Sequence, residues 1–106
     1  MKVARAQVWW VNLDPTIGSE IRKTRPAVVV SPNELNDHLR TVVVVPLTSG
    51  RTYPFRISTR VQGKDGVAAV DQVRTIDKRR LVKKISTLKP GGMKPILDAL
   101  VEMFSH

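Results

Sequence analysis

The chain has 106 residues, no cysteine and a formal net charge of +9, from 18 Lys and Arg against 9 Asp and Glu. This length predicts one domain over residues 1–106, and the lack of cysteine excludes disulfides, thiolate catalysis and zinc–thiolate sites. The charge favours a polyanionic partner: nucleic acid, an acidic protein or an anionic membrane. No apolar run reaches the roughly 18–20 residues of a membrane span and there is no signal-peptide pattern, so we expect a cytoplasmic protein.

Short apolar segments follow one another along most of the chain. They are rich in Val and Ile and are separated by Pro, Gly, Asn and Asp, which is typical of strands and turns. The predicted strands cover residues 6–12, 27–31, 41–47, 55–58, 67–70 and 81–86. Segment 41–47 is almost continuously apolar, so both of its faces are expected to be buried. Residues 32–36 suit a short helical turn, and residues 63–66 suit a turn between strands.

Two features refine this pattern. Trp9 and Trp10 point to opposite faces of the first strand, so we expect one in the core and the other at a dimer interface or a groove wall. In the tail, apolar residues recur from Met93 to Phe104 with the period of one helix face. Gly91 and Gly92 precede this predicted helix. Many short strands and one terminal helix indicate a mainly β fold, a small barrel capped by a helix.

Four ordered blocks of this sequence resemble the MazF/PemK (Kid) toxins of bacterial toxin–antitoxin pairs. They are LDPT-I-GSE with KTRPAVVVSP in residues 13–32, VPLTS in 45–49, YPF in 53–55 and DGVAAVDQVRTID in 65–77. The resemblance covers most of the chain up to about Arg80. It implies a single toxin domain with a small SH3-like β-barrel of the PemK/CcdB type and a C-terminal helix.

The resemblance also implies a function. These toxins are sequence-specific endoribonucleases that cut single-stranded RNA, chiefly mRNA, and need no metal or other cofactor. A homodimer with grooves near the subunit boundary is implied, as is an acidic MazE-like antitoxin whose disordered tail would fold over the basic surface. The alternative is a different class of protein: a non-catalytic basic barrel that binds nucleic acid or protein, such as a toxin homologue that inhibits gyrase.

RNA can be cut by its own 2′-hydroxyl, which leaves a 2′,3′-cyclic phosphate and a 5′-hydroxyl end. The reaction needs a base, a cation at the crowded phosphorane and an acid in one place. The family position of Arg25, before Pro26, implies a catalytic arginine, whose guanidinium can grip two phosphate oxygens. Thr48 occupies the position of a catalytic threonine, although an isolated threonine there would satisfy a turn. Glu20 is a candidate base if burial raises its pKa; the alternative is that it balances the neighbouring cations.

Further residues of the blocks, and two lysines that follow the basic run Lys78–Arg80, are candidate RNA contacts. They are Ser19, Lys23, Thr24, Ser49, Tyr53, Asp71, Gln72, Arg74, Lys83 and Lys84. Alternatives stay open for several of them, because Asp71 and Gln72 can instead brace the barrel and the lysines can be a solvated strand edge. Some family members pair the aspartate with a basic residue two positions earlier, where this chain has Ala69.

Overall fold

The fold is mainly β with a C-terminal helix, as predicted, and the computed structural model describes residues 2–106. Seven strands and two α-helices follow in chain order. The strands are β1 (Gln7–Asn12), β2 (Thr24–Val29), β3 (Thr41–Thr48), β4 (Arg56–Val61), β5 (Lys64–Ala69), β6 (Arg74–Asp77) and β7 (Leu81–Thr87), and the helices are α1 (Asn33–Asn36) and α2 (Pro90–Met103). Single 3-10 turns cover Val70–Gln72 and Lys78–Arg80.

All seven strands form one antiparallel sheet that curls into a half-barrel. The hydrogen-bonded order is β4-β5-β3-β2-β1-β7, and β6 pairs with β3. β3 is central because its first half pairs with β6 and its last residues pair with β5 along the same edge. The order ends at β4 and at β7, and the Gln62 side chain donates from Nε2 to the carbonyl oxygen of Ile85 across the remaining opening, at 3.0 Å.

Both faces of the central strands are buried, which confirms the prediction for segment 41–47. Side chains alternate between the two faces of a strand. In β3, Val45 and Leu47 pack in one core cluster, which α2 covers with Met93 and Ile96. Val42 and Val44 pack in a second cluster, where Trp9 is only 7% exposed. Trp10 is 40% exposed, so the predicted division of the two tryptophans between core and surface is confirmed.

Several boundaries differ from the sequence prediction for reasons of pairing. β2 begins at Thr24 rather than at residue 27, because Thr24 and Arg25 pair with Asn12 and Val11 of β1. The predicted turn over residues 63–66 is confined to Gln62 and Gly63, which have φ values of 50° and 79°. Such a pair of positive φ angles closes a two-residue hairpin, so β5 already starts at Lys64.

Two elements were missed or displaced. β6 is short and polar, with only Ile76 buried, and its strand conformation depends on pairing with Thr41–Val44 of β3. Helix α2 begins at Pro90, so Gly91 and Gly92 lie inside its first turn rather than before it. The predicted short turn over 32–36 is confirmed as α1. Neither helix of residues 2–106 has the length and apolar character needed to cross a membrane.

Candidate active site

Arg25 and Thr48 come close together on neighbouring strands. β2 and β3 pair Ala27 with Pro46, and the same register counted two residues further brings Arg25 level with Thr48. By the alternation of side chains, both point to the same face of the sheet. Both residues are half-buried. Two of the residues that the sequence selects for catalysis therefore meet at the same end of the sheet.

An open cavity of about 400 Å³ lies at this end of the sheet, and Arg25, Thr48 and Ser49 are among its lining residues. The two edge strands of the sheet contribute to its walls, β4 with Val61 and β7 with Ile85. Trp10 also lines it, which agrees with the expected groove wall. Lys64 lines it too. The sequence analysis did not select this residue, because a lysine in a predicted turn gives no indication of what it will contact in the folded chain.

The guanidinium of Arg25 is oriented by the loop that precedes it. Its Nε donates to the carbonyl oxygen of Arg22 at 3.0 Å. This contact holds the guanidinium plane, while the two terminal nitrogens keep the fork geometry that matches two oxygens of a phosphate. Arg25 also lies inside β2, where Pro26 and the pairing with β1 restrict its backbone. The guanidinium of Arg25 is therefore more restricted in position than that of an arginine in a free loop, which favours the binding of an anion.

Glu20 lies outside the cavity on the exposed surface of the loop between β1 and β2. Its Oε1 accepts a hydrogen bond from the backbone N–H of Ile17 at 2.6 Å, which closes a turn. The burial on which a role as base depends is not found in this conformation. Ser19, Lys23 and Thr24 are likewise exposed on the same loop or at the start of β2.

Gln72 fastens this loop to the rest of the barrel. Its Oε1 accepts from the backbone N–H of Ile21 at 2.7 Å, and its Nε2 donates to the carbonyl oxygen of Ser19 at 3.4 Å. Arg74 adds a bond from Nη1 to the carbonyl oxygen of Leu13 at 3.2 Å. Both ends of the Gln72 amide are in use, so the bracing alternative fits this residue better than reading a base edge.

Asp71 forms an ion pair with Arg56 of β4, a residue that sequence reasoning did not select. Arg56 donates from Nε to Oδ1 at 2.5 Å and from Nη2 to Oδ2 at 2.8 Å. These hydrogen bonds lower the pKa of Asp71 and raise that of Arg56, in both cases against the effect of burial. A carboxylate with a lowered pKa is ionised at neutral pH, so it is a poor proton donor. The Arg56 side chain also stacks on Tyr53, with 5.3 Å from its guanidinium carbon to the ring centroid.

The lysines of β7 extend positive charge from the cavity. Lys83 pairs in register with Trp10, and Lys84 pairs with Trp9. Both side chains are exposed. Since Trp10 lines the cavity, the strand position of Lys83 is next to the cavity wall, and a polyanion leaving the cavity along β7 would meet these charges.

The comparison with known proteins agrees with the blocks found in the sequence. The family model of PemK-like, MazF-like toxins of type II toxin–antitoxin systems matches residues 4–104. The chain belongs to this family. It is 41% identical over 103 residues to the endoribonuclease PemK of Escherichia coli, which covers 91% of this chain and 77% of that protein.

Solved structures of family members have the same fold. A crystal structure of MazF from Deinococcus radiodurans superposes with a TM-score of 0.86 at 25% identity, over 97% of this toxin and 96% of that chain. An endoribonuclease in complex with its cognate antitoxin, from mycobacterial species, superposes with a TM-score of 0.79 at 27% identity, over 94% of this toxin and 92% of that chain. The half-barrel with a C-terminal helix is therefore the fold of this toxin family.

Proposed function

We propose that this toxin is a sequence-specific endoribonuclease that cuts single-stranded RNA without a metal ion. The 2′-hydroxyl of one nucleotide gives up its proton to a base and attacks the adjacent phosphorus. The bond to the 5′-oxygen of the next nucleotide breaks and that oxygen takes up a proton, so the products are a 2′,3′-cyclic phosphate and a 5′-hydroxyl end. The observation that carries the proposal is the convergence of Arg25 and Thr48 at one cavity. The identity to a protein named as an endoribonuclease supports it.

The roles follow from the chemistry of each group. Arg25 would hold two non-bridging oxygens and stabilise the negative charge of the phosphorane through charge-assisted hydrogen bonds. Thr48 would donate its hydroxyl to the same phosphate from the neighbouring strand. Glu20 stays a candidate base on the loop between β1 and β2, although its carboxylate is exposed and is not part of the cavity lining.

The remaining candidate residues would bind the strand around the reacting phosphate. Ser49 lines the cavity, and Lys83 and Lys84 offer charges that displace counterions from the backbone. Lys23 and Ser19 present polar groups on the loop beside Arg25, and Thr24 does so at the start of β2. Gln72 and Arg74 would act indirectly, because they hold that loop in place.

We further propose the cellular setting that the family relationship supports. Cleavage of mRNA in the cytoplasm would stop translation and growth, and a cognate antitoxin would neutralise the toxin. The net charge of +9 favours an acidic antitoxin segment that covers the same surface as RNA. A related endoribonuclease has been solved with its cognate antitoxin. We expect the active form to be a homodimer.

The direct test is cleavage of a labelled RNA by the purified toxin in excess EDTA, with the 5′ ends of the products mapped by sequencing. The expected result is cutting at a short recurring sequence with 5′-hydroxyl ends. Arg25→Ala should abolish cutting while circular dichroism stays unchanged, and Arg51→Ala, which removes an exposed arginine outside the cavity lining, is the matched control. Intact RNA with the wild-type toxin would contradict the proposal and favour a non-catalytic binding protein.

A further inference from the structure

Tyr53, Arg56 and Asp71 form a small assembly at the edge of the half-barrel. The Arg56 guanidinium makes two hydrogen bonds to the Asp71 carboxylate, at 2.5 and 2.8 Å, and lies over the Tyr53 ring at 5.3 Å. The Arg56 side chain is only 16% exposed, whereas Tyr53 is 55% exposed. The arginine is therefore the enclosed member of the assembly, and the aromatic ring is the member that faces solvent.

The backbone holds these three residues on a rigid hairpin. Arg56 donates its N–H to the carbonyl oxygen of Tyr53 at 2.7 Å, which closes the turn that carries the ring. Arg56 then pairs with Ala69 of β5, and the N–H of Val70 donates to the carbonyl oxygen of Phe55 at 3.0 Å. Asp71 follows directly after Val70. These backbone hydrogen bonds lie on both sides of the ion pair, so they fix the backbone that carries the ring, and the contact with Arg56 orients the ring itself.

The assembly lies on the same sheet as the candidate active site. In register, Thr48 is level with Val67 of β5 and with Ser58 of β4. Arg56 is two residues along β4 from Ser58 and so has its side chain on the same face. Strand spacing and rise per residue put its backbone about 12 Å from that of Thr48. A single strand with its reacting phosphate at Thr48 can span this distance with an adjacent nucleotide.

The ion pair decides which part of a nucleotide the assembly can bind. Asp71 takes two guanidinium donors and neutralises the arginine, so a phosphate gains little there. The ring remains a flat, electron-rich surface whose one face is backed by the guanidinium. Its other face is the kind of platform on which single-stranded nucleic acids stack their bases.

We propose that Arg56 is a positioning residue that holds Tyr53 as a stacking platform for one unpaired base next to the scissile phosphate. This inference rests on the proposed RNA cleavage and assigns one binding position within it. Arg56 does not touch the reacting atoms. It fixes the tilt of the ring, and Asp71 fixes Arg56. Loss of any of the three should weaken RNA binding and leave the chemical step intact.

The test combines protein variants with RNAs that lack single bases. Wild type, Tyr53→Ala, Arg56→Ala and Arg56→Lys are assayed on a short RNA that carries the cleavage sequence, and on a series of the same RNA with one abasic nucleotide at each position flanking the cut. Arg79→Ala is the matched control, because Arg79 forms an exposed ion pair with Asp77 at 3.0 Å and neither residue lines the cavity. Binding is measured in parallel on RNA with a 2′-deoxy linkage at the cut.

The expected result is a rise in KM and Kd of about 5- to 150-fold for Tyr53→Ala and Arg56→Ala, the range of one base stacked on an aromatic ring. The value of kcat should stay within about twofold. Arg56→Lys, which cannot form the bidentate pair, should fall between wild type and Arg56→Ala. For one of the abasic RNAs, KM and Kd of wild type should rise by the same factor, whereas those of Tyr53→Ala and Arg56→Ala should not rise further. Arg79→Ala should behave as wild type with every RNA.

Three outcomes would overturn the inference. The first is that each abasic RNA weakens binding by the same factor in wild type as in Tyr53→Ala and Arg56→Ala. The second is that the alanine variants have a lower kcat and an unchanged KM. If Arg56→Ala fails to fold, Tyr53→Ala still decides, because its exposed ring can be removed without breaking the ion pair, and unchanged binding by that variant is the third. If wild type binds RNA more weakly at one abasic position, as expected, but does not cut RNA, the proposed cleavage is contradicted and the role of Tyr53 as a stacking platform is still supported.

Discussion

At the scale of single residues, the pKa of Asp71 depends on its ion pair with Arg56 in the folded chain. Its carboxylate accepts two hydrogen bonds from Arg56, and these lower its pKa. A lowered pKa means that the folded state binds this proton less readily than the unfolded state. The ionised form therefore stabilises the fold above the ordinary pKa of an aspartate, and this contribution is lost as the pH falls through the lowered value.

This linkage predicts a pH-dependent difference between wild type and Asp71→Asn. At neutral pH the variant should be less stable by up to about 1 kcal/mol, because solvent screens this partly exposed pair. The difference should shrink towards zero as the pH falls through the lowered pKa of Asp71, because the wild-type carboxylate then takes up its proton. Urea unfolding of both proteins across the pH range measures it, and Asp65→Asn in the exposed Arg60 pair serves as the comparison. A difference that stays constant with pH would show that the ion pair adds no stability.

Thr48 allows the reacting group to be separated from the binding surface. Thr48→Val preserves size and charge but removes the hydroxyl, so it should lower kcat by about 100-fold or more with nearly unchanged binding. Reversal of Lys83 and Lys84 to Glu should do the opposite, because it removes phosphate contacts on β7. It should weaken binding and flatten the salt dependence, whose slope for single strands is about −0.7 per phosphate neutralised.

Both sets of variants can be measured on one short RNA, with a 2′-deoxy linkage at the cut for the binding arm. Saturating RNA separates kcat from affinity for the lysine reversals. Normal cutting by Thr48→Val together with unaltered binding by the lysine reversals would show that the site and the RNA path are both misassigned.

At the scale of elements, the loop between β1 and β2 is held by side chains that come from far along the chain. Gln72 bonds its backbone at Ile21 and Ser19, and Arg74 bonds it at Leu13. Arg80 adds donors to the carbonyl oxygens of Asn12 and Asp14. The loop carries Glu20 and ends beside Arg25, so its position sets which polar groups face the cavity.

Gln72→Ala should therefore release the loop without unfolding the barrel. We expect the amide of Ile21 to exchange with solvent about fivefold faster or more, because a net hydrogen bond contributes about 1 kcal/mol. RNA cleavage should fall, since Arg25 loses a fixed neighbour. Gln72→Glu is the informative control: it keeps the acceptor for Ile21 N–H and loses only the donor to Ser19. If exchange at Ile21 is the same in wild type and Gln72→Ala, the anchoring role is wrong.

At the scale of the whole molecule, α2 covers only part of its apolar surface. Met93 and Ile96 are buried against the sheet, whereas Val101 and Phe104, from the same predicted face, are 69% and 74% exposed. Val82 of β7 is 63% exposed. The molecule thus leaves large apolar side chains in solvent at the end of the helix and on an outer strand, which is typical of a surface that meets another chain.

We predict that the exposed apolar end of α2, with Val101 and Phe104, contributes to a homodimer. Phe104→Ser combined with Val101→Asp should weaken self-association by at least tenfold, because each buried apolar side chain contributes about 1.5–3 kcal/mol. Sedimentation at micromolar concentration and below measures the change. Leu39→Ser, which alters an apolar residue that is 47% exposed and belongs to neither α2 nor β7, is the control. A wild type that sediments as a monomer would contradict the prediction and leave the RNA chemistry as a separate question.

The sequence by itself determined the fold class and much of the candidate site. Burial leaves a periodic pattern in the chain, so the continuous apolar run of β3, the helical spacing of Met93 and Ile96 and the division between Trp9 and Trp10 could all be predicted. Arg25 and Thr48 could be selected because each lies within a block that resembles the toxin family. These features are local, and each depends on residues close together in sequence.

Only the tertiary structure decided what depends on distant partners. β6 is polar and becomes a strand because β3 offers it an edge to pair with. Gln72 braces a loop that is 51 residues away at Ile21, and Arg56 finds Asp71 because the β4–β5 hairpin sets Arg56 opposite Ala69. A hydrogen bond between residues that are distant in sequence produces no periodic or compositional signal, because its geometry exists only once the strands have paired.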